Sequence, residues 1–370
     1  MKKRMFALLL AGAMCLPFAA CGGGGANTDT APSDAPAESA AAPADEAEAP
    51  AENPETPADG EEEGGEEANA DTSGEALNVN VILKTTASEY WGYVVAGAKA
   101  YQTDHPNVTV DVQGASSETA YDEQLNIIET NLASGKYDGF VIAPLQADMV
   151  VTQISGFDKP IIAVDTAIDA PEILSFVGTG NEAAAFEGGK AAVQMAKDAG
   201  WEELKAISIS GVQGDSTVTA RLTGYQKGVD ESGGQFLADE TQYADAVADK
   251  AFASMEAIMQ NHPEGVAMIL CNNDDMAIAA ARAAAGNEAY AKTIFVGFDG
   301  IQSACEAILA GEETMSVAQN AYQMGYMAVE ACVKAINGET IETFIDSGND
   351  IISKDNAQAQ LDSLQGYLNN

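Results

Sequence analysis

Short apolar runs alternate with segments of helical periodicity along residues 77–370. In the helical segments apolar residues recur every three to four positions, whereas the runs between them are continuously apolar. This alternation predicts parallel β-sheets whose two faces are covered by helices. The predicted strands are 79–83, 108–112, 139–143, 161–164, 174–177, 206–209, 236–238, 266–271, 294–298 and 315–318, with 343–352 extended again. The predicted helices are 91–104, 118–133, 147–155, 182–198, 216–232, 246–261, 274–286, 302–310 and 322–336.

The length of this region favours two structural units over one. Residues 77–370 exceed what a single core usually organises. Because the strands and helices come in two successive series, we predict an α/β protein with two Rossmann-like lobes. The last predicted helix and the extended segment behind it indicate that the chain returns late to its first lobe.

The amino terminus predicts export. Residues 1–4 carry three cationic side chains, residues 5–20 are apolar or small, and small residues precede Cys21. The segment 1–21 therefore has the pattern of a secretory signal and is excluded from the fold. It also resembles a bacterial lipoprotein signal, in which Cys21 becomes the lipidated first residue; plain secretion is the alternative.

An acidic linker follows the signal. Residues 22–75 contain sixteen acidic residues and no aromatic or basic one. Such a segment buries almost nothing and repels itself, so we expect a disordered tether. We place the linker at 22–76, where it would hold a folded body at some distance from an anchored Cys21.

Composition excludes several functions. The net charge of −40 makes nucleic acid an unsuitable partner, because phosphate binding needs a basic surface. The three cysteines of the body (Cys271, Cys305 and Cys332) fall in strand or helix patterns and are expected to be buried thiols. The only histidines are His105 and His262, and no spacing suits zinc or a Ser-His-Asp set. We therefore expect no enzyme, no metal and no cofactor.

Polar residues follow the predicted strand 266–271. Asn272 and Asn273 come first, and Asp274 and Asp275 then stand where a helix cap and first turn favour acids. In open α/β sheets ligands bind outside the carboxyl ends of the strands, so Asn273 is a ligand candidate. The alternative is that all four residues only cap the helix.

Other strands end in similar groups, and their chemistry suits a neutral polyhydroxylated ligand. Carboxylates, amides and guanidinium groups can each bind hydroxyls, and aromatic faces can stack on a sugar ring. Alternatively, the rings belong to the core, the acids to turns and the arginine to a surface ion pair. Two adjacent rings cannot both face one core, so at least one should point elsewhere. These candidates are Tyr90, Trp91, Asp165, Arg221, Asp299 and Gln319.

Four motifs resemble the periplasmic sugar-binding proteins of the ribose and galactose type, the solute-binding components of ABC transporters. They are Asn273-Asp274-Asp275-Met276-Ala277, Val296-Gly297-Phe298-Asp299-Gly300, Ile161 to Asp165 and Val177-Gly178-Thr179-Gly180-Asn181. The resemblance covers residues 78–364. It implies the type I periplasmic binding protein fold, in which three crossings near Gly180, Gln319 and 344–347 join the lobes as a hinge. The implied lobes are 77–180 with 320–344 and 181–319 with 345–370.

The resemblance also implies a ligand site and partners. Tyr90 and Trp91 would stack on a sugar-like ligand. Hydroxyl hydrogen bonds would fall on Asp165, Asn273, Asp299 and Gln319, and Arg221 would be a further contact. The partners would be a permease and, through the lipid anchor only, the cell membrane. We expect an extracytoplasmic monomer anchored to that membrane.

The sequence departs from the ribose-binding pattern at three positions. That pattern has arginine after the first acid and again early in the later helix, where Thr166 and Thr219 are expected here. Lys84 stands where a small polar residue is common. The identity of the sugar is therefore left open.

Three other functions fit parts of the sequence. A binding protein that serves a sensor kinase or chemoreceptor would use the same fold and site. A dinucleotide-dependent oxidoreductase is a remote alternative, because residues 178–183 fit G-x-G-x-x-A but no strand-end acid lies at the required distance. Regulators of the lac repressor type share the fold, but they begin with a DNA-reading helix-turn-helix, where this chain has a secretion signal.

Overall fold

The computed structural model describes residues 75–368. The predicted signal 1–21 and all but the last two residues of the predicted linker 22–76 lie outside this range. The strands are β1 Leu77–Thr85, β2 Val108–Ala115, β3 Gly139–Ile142, β4 Ile161–Val164, β5 Ile173–Gly178, β6 Lys205–Ser210, β7 Gln235–Phe236, β8 Gln242–Tyr243, β9 Met268–Cys271, β10 Ile294–Asp299, β11 Met315–Gln319, β12 Phe344–Asp346 and β13 Asn349–Ile352. The helices are α1 Glu89–Asp104, α2 Tyr121–Ala133, α3 Ala147–Ile154, α4 Asn181–Asp198, α5 Ser216–Glu231, α6 Ala248–Asn261, α7 Asp274–Ala284, α8 Gln302–Ala310, α9 Ala321–Ile336 and α10 Ala357–Leu368.

The strands form two sheets, as the alternating pattern predicts. The first has the order β12-β5-β4-β3-β1-β2 and is parallel throughout. The second has the order β13-β11-β10-β9-β6-β7, with β8 also paired to β6. Its strand pairs are parallel except for β11 with β13, which are antiparallel.

Helices cover both faces of each sheet, which explains the continuous apolar runs. Every residue of β3, β4 and β9 is buried, as expected for strands with helices on both sides. Helices α1 and α9 pack on one face of the first sheet, and α2 and α3 pack on the other. In the second sheet α4 and α5 cover one face, and α6 and α7 the other.

The chain crosses between the two sheets three times. It leaves the first sheet after β5, returns after β11, and crosses again between β12 and β13. We call the first sheet with α1–α3 and α9 the first lobe, and the second sheet with α4–α8 the second lobe. Helix α10 packs against α8 and α1. None of the helices between residues 75 and 368 is both long and apolar enough to cross a membrane.

Candidate functional site

One cavity lies between the lobes, where strands of both sheets end. All seven residues that the sequence singles out as ligand contacts line it: Tyr90, Trp91, Asp165, Arg221, Asn273, Asp299 and Gln319. The first three belong to the first lobe and the other four to the second. The structure thus brings the predicted residues together, and their role as ligand contacts remains a prediction.

Tyr90 and Trp91 both line the cavity and both belong to a buried apolar cluster. The two adjacent rings thus do not face the core alone, which agrees with the expectation that at least one of them points elsewhere. Their ring planes meet at 78° with centroids 5.1 Å apart, so the two rings pack edge to face against each other. The Tyr90 hydroxyl donates to Asp165 Oδ1 at 2.8 Å, and Trp91 Nε1 donates to Glu118 Oε1 at 3.0 Å. Each ring is thereby fixed by a carboxylate.

The acids at the ends of β4 and β10 have unusual backbone conformations. Asp165 has φ of 63° and Asp299 has φ of 119°, a region that residues other than glycine rarely adopt. Gly300 follows with φ of 68°, and a Cβ there would come within 2.3 Å of the Ala318 Cβ. This pair of positive φ angles turns the chain away from β10 and leaves the Asp299 carboxyl at the cavity. Strain of this kind clusters at functional sites.

Arg221 is buried in the cavity wall, so its alternative interpretation as a surface ion pair is wrong. Its guanidinium lies over the Phe298 ring at 3.7 Å from the centroid. Nε donates to Asn181 Oδ1 at 2.7 Å, and Nη1 donates to the carbonyl oxygen of Asn272 at 2.6 Å. Nη1 also lies 3.7 Å from Asp299 Oδ1. These partners fix the guanidinium in one orientation, which suits directional binding.

Residues 272–275 divide into different roles. Asn273 is the N-cap of α7, and its Oδ1 accepts from Met276 N at 3.0 Å, which leaves Nδ2 available for another partner. Asp274 is not a cap. It is fully buried, and it accepts from Ser316 Oγ at 2.6 Å and from Ile301 N at 3.0 Å. Asp274 therefore braces α7 against β11 and the start of α8, whereas Asp275 is exposed.

Two buried polar atoms beside the cavity lack a hydrogen-bond partner among the described residues. They are Asn272 Nδ2, a donor, and Gln319 Oε1, an acceptor. Gln319 Nε2 donates to Asp299 Oδ1 at 2.7 Å, and Asn272 Oδ1 accepts from Gly211 N at 3.3 Å. A buried polar group left unpaired costs about 1–3 kcal/mol. A hydroxyl can both donate and accept, so hydroxyl groups would satisfy both atoms.

Besides Asn272, four further charged or polar residues line the cavity that are not among the predicted site candidates: Lys84, Glu118, Asp215 and Thr217. In the sequence Lys84 stands out only as an unusual residue for its position. Thr217, rather than the expected Thr219, faces the cavity, because α5 begins at Ser216 and Thr219 lies on its exposed side. Asp215 has a sequence signal, since an acid directly before a helical pattern marks an N-cap. It accepts from Val218 N at 3.0 Å.

Burial and charge shift the pKa values of several cavity groups. Burial raises the pKa of Asp299 well above its usual value, and the Arg221 guanidinium only partly opposes this. Burial also raises the pKa of Tyr90, with the nearby Asp165 carboxylate adding to the effect. The Tyr90 hydroxyl therefore keeps its proton and acts as a donor. The Asp299 carboxyl lacks enough positive charge around it to compensate its burial.

A family model described as the periplasmic binding protein domain matches residues 79–340. The chain is 28% identical over 270 residues to the D-allose-binding periplasmic protein of Escherichia coli, an alignment that covers 70% of this chain and 85% of that protein. It is 27% identical over 281 residues to the D-ribose/D-allose-binding protein of Pseudomonas aeruginosa, covering 72% and 85% of the two chains.

Solved structures agree with this similarity. A carbohydrate transporter solute binding protein from Agrobacterium radiobacter, in complex with D-arabinose, superposes with a TM-score of 0.70. It is 26% identical and covers 78% of this chain and 98% of its own. An ABC transporter solute binding protein from Mycobacterium smegmatis with bound glycerol is also 26% identical, with a TM-score of 0.68 and coverage of 77% and 96%. The predicted two-lobed α/β fold class is confirmed.

Proposed function

Since the chain belongs to the periplasmic binding protein domain family, we propose that it captures a monosaccharide or a similar polyol outside the cytoplasm and delivers it to the permease of an ABC transporter. It is a binding protein and not an enzyme, as are the family and the relatives it matches. Those relatives are named for allose or ribose, or were solved with arabinose or glycerol.

The convergence of both lobes on one cavity is the observation that supports the proposal. The cavity offers carboxylates from Asp165 and Asp299, carboxamides from Asn272 and Gln319, and the fixed guanidinium of Arg221. The aromatic side chains at one wall suit the apolar face of a sugar ring. Together these groups supply both donors and acceptors, as a ligand with several hydroxyls requires.

Closure of the lobes around the ligand would provide specificity. Ligand contacts come from strand ends in both sheets, so a bound sugar favours the closed arrangement by its differential affinity for it. An epimer that leaves one buried side chain unpaired loses about 1–3 kcal/mol. The site therefore selects a ligand by the positions of its hydroxyls. The two closing lobes would comprise residues 77–180 with 320–344 and residues 181–319 with 345–370.

The anchor belongs to the same proposal. Cys21 would carry the lipid after the signal 1–21 is removed, and the acidic linker 22–76 would hold the lobes away from the membrane. We expect mass spectrometry of the protein purified from bacterial membranes to find acyl chains on Cys21. In the Cys21→Ala variant the protein should lose its membrane association. Retention of that variant in the membrane would contradict the anchor and leave the binding proposal intact.

A panel of monosaccharides, polyols and nucleosides tests the ligand class by thermal shift. We expect one binder or a few to raise the melting temperature. No response to any of these compounds would contradict the proposal, because a closing cavity with these groups should be stabilised by its ligand.

Variants of Asn273 then separate ligand binding from helix capping. Serine caps helices about as well as asparagine, so Asn273→Ser should keep the unliganded stability and lose ligand binding. Asn320→Ser changes the N-cap of α9, whose side chain accepts from Gln323 N outside the cavity, and serves as the matched control. Full affinity in Asn273→Ser would remove this residue from the site.

A further inference from the structure

The two lobes contact each other directly through a buried ion pair. Lys84 lies near the end of β1 in the first lobe, and Asp215 is the N-cap of α5 in the second. Lys84 Nζ lies 2.8 Å from Asp215 Oδ2, and the side chains are only 8% and 6% exposed. Because the two residues belong to different lobes, separation of the lobes must break this bond. No ligand atom is needed to form it.

A pair of hydroxyls makes a second direct connection. Thr166 Oγ1 of the first lobe lies 3.0 Å from Thr217 Oγ1 of the second. Thr166 donates its proton to Asp165 Oδ2 at 2.8 Å, so Thr217 is the donor to Thr166. A hydrogen-bond chain therefore runs from the second lobe through Thr166 to the Asp165 carboxylate. Closure of the lobes thereby fixes the orientation of a predicted ligand contact.

The geometry of the ion pair favours its formation when the lobes meet. A buried ion pair offsets its desolvation only where further hydrogen bonds satisfy the same groups. Asp215 meets this condition, because its Oδ1 accepts from Val218 N while its Oδ2 faces Lys84. The helix cap fixes the carboxylate before the lobes close, which reduces the entropy lost on pairing.

The surrounding charges keep both partners ionised. Burial lowers the pKa of Lys84, but the carboxylates of Asp215, Asp165 and Glu118 together outweigh that effect. The resulting pKa lies above the usual value of a lysine. Burial opposes ionisation of Asp215 too, yet the Lys84 ammonium holds its pKa below the usual value.

We infer that Lys84–Asp215 and Thr166–Thr217 form a latch that holds the two lobes closed independently of ligand. Lys84 and Thr166 are two of the positions at which the sequence departs from the ribose-binding pattern. At these positions the chain contacts its own opposite lobe. Opening must therefore break protein–protein bonds as well as any bonds to a ligand.

Trp91 provides the test, because its indole lies in the cavity and is 2% exposed. The second tryptophan, Trp201, lies outside the cavity and donates to the carbonyl oxygen of Lys292. In a Trp201→Phe background, quenching of Trp91 fluorescence by acrylamide then reports how often the lobes separate. The measurement uses the unliganded protein, so it does not depend on the proposed sugar binding.

The double variant Lys84→Met/Asp215→Asn removes both charges of the pair together, so neither partner is left as a buried ion without the other. Asparagine at 215 keeps the N-cap of α5. We expect a several-fold larger acrylamide quenching constant than in the parent, with circular dichroism unchanged. The matched control is Lys190→Met/Glu187→Gln, an exposed ion pair within α4, and its quenching constant should equal that of the parent.

A second pair of variants tests the hydroxyl connection and decides the matter if the double variant does not fold. Thr217→Val removes the donor to Thr166 and should increase quenching, whereas Thr217→Ser keeps the hydroxyl and should not. Unchanged quenching in Thr217→Val, together with unchanged quenching in Lys84→Met/Asp215→Asn if that variant folds, would overturn the latch. Failure of the sugar panel would overturn the proposed ligand class but not the latch.

Discussion

Asp165 and Asp299 lie at the carboxyl ends of strands β4 and β10 in opposite lobes, and both have positive φ, 63° and 119°. A non-glycine residue in a sparsely populated backbone region costs about 1–3 kcal/mol. The fold bears this cost twice, once on each side of the cavity. The shared distortion brings two carboxylates to the same cavity from opposite lobes.

Asp299→Asn should strengthen the fold and weaken ligand binding. Burial raises the pKa of Asp299, so this carboxyl lowers the stability of the folded protein at pH values above its unfolded-state pKa. Asparagine keeps an oxygen for Gln319 Nε2 and removes the charge. We expect a higher free energy of unfolding in urea near pH 8. Affinity for the sugar found by the panel should be roughly 10–100-fold lower, because a hydrogen bond to a charged group contributes about 1.5–3 kcal/mol.

The exposed Asp169 gives the control for this experiment. Asp169→Asn should change neither the urea midpoint nor the affinity measured by calorimetry. If Asp299→Asn bound the sugar as tightly as the parent, Asp299 would be a structural residue only.

A buried carboxyl pair behind the site predicts pH-dependent stability. A Cβ on Gly297 would come within 2.1 Å of Asp274 Oδ1 and 2.3 Å of Glu313 Oε1, so the two carboxyls adjoin the same backbone position. Neither carboxyl forms an ion pair within residues 75–368, and both Glu313 oxygens lack a hydrogen-bond partner there. Burial raises the pKa of Asp274 to about 7, and burial with the nearby Asp274 raises that of Glu313.

The sign follows from proton linkage. The folded protein holds these two protons more tightly than the unfolded chain, so the contribution of this pair to stability is greatest at low pH and falls as pH rises toward the folded pKa values. We expect the free energy of unfolding to fall between about pH 5 and about pH 8, by up to about 1.4 kcal/mol per pH unit for each proton. Glu313→Gln should flatten this dependence, whereas the exposed Glu256→Gln should not. Guanidinium unfolding at several pH values in this range measures the dependence. The prediction is refuted if the free energy of unfolding has the same slope against pH in the parent and in Glu313→Gln.

The three cysteines of the described region are free and buried. Burial raises the pKa of Cys271, and burial raises that of Cys305 to about 12. A thiol must ionise to react, so all three should be silent toward a thiol reagent in the native protein and react on unfolding in guanidinium. Fast labelling of any of them before unfolding would show that the surrounding helices open locally.

The sequence predicts the strands and helices whose buried side chains form a regular apolar pattern, and it misses those without such a pattern. The predicted strand 161–164 coincides with β4, because all four side chains are buried between helices. Helix α10 was missed since it buries only Ala357, Leu361 and Leu364, and its remaining face is polar. Strand β8 has two residues and exists only through pairing with β6.

Site residues, too, can be predicted only where a regular sequence pattern places them. Residues that directly end a strand, such as Asp165 and Gln319, could be found from the order of strands in the sequence. Lys84 and Asp215 could not be recognised as partners, because 131 residues separate them and only closure of the lobes brings them together. Thr217 was missed through a two-residue error in the helical phase, which rotates the expected side chain to the exposed face of α5.

Arg221→Lys should disrupt the second lobe although it preserves the charge. The guanidinium binds Asn181 Oδ1 and the carbonyl oxygen of Asn272 with two different nitrogens while it lies flat on Phe298. A lysine ammonium can neither span both acceptors nor stack in this way. We expect the free energy of unfolding to fall by about 2–3 kcal/mol, since at least one buried acceptor loses a charged donor.

Arg282→Lys is the matched substitution for Arg221→Lys, because Arg282 is exposed and its Nε pairs with Glu312 at 2.9 Å. Surface pairs contribute about 0–1 kcal/mol, so this variant should unfold almost as the parent does. Asn181 is the first residue of α4, directly after the first crossing between the sheets. Arg221→Lys should therefore also release Asn181 from its hydrogen bond beside this crossing and weaken binding of the sugar found by the panel. Equal urea midpoints for Arg221→Lys and Arg282→Lys would mean that the guanidinium geometry is dispensable, and that only positive charge matters at this position.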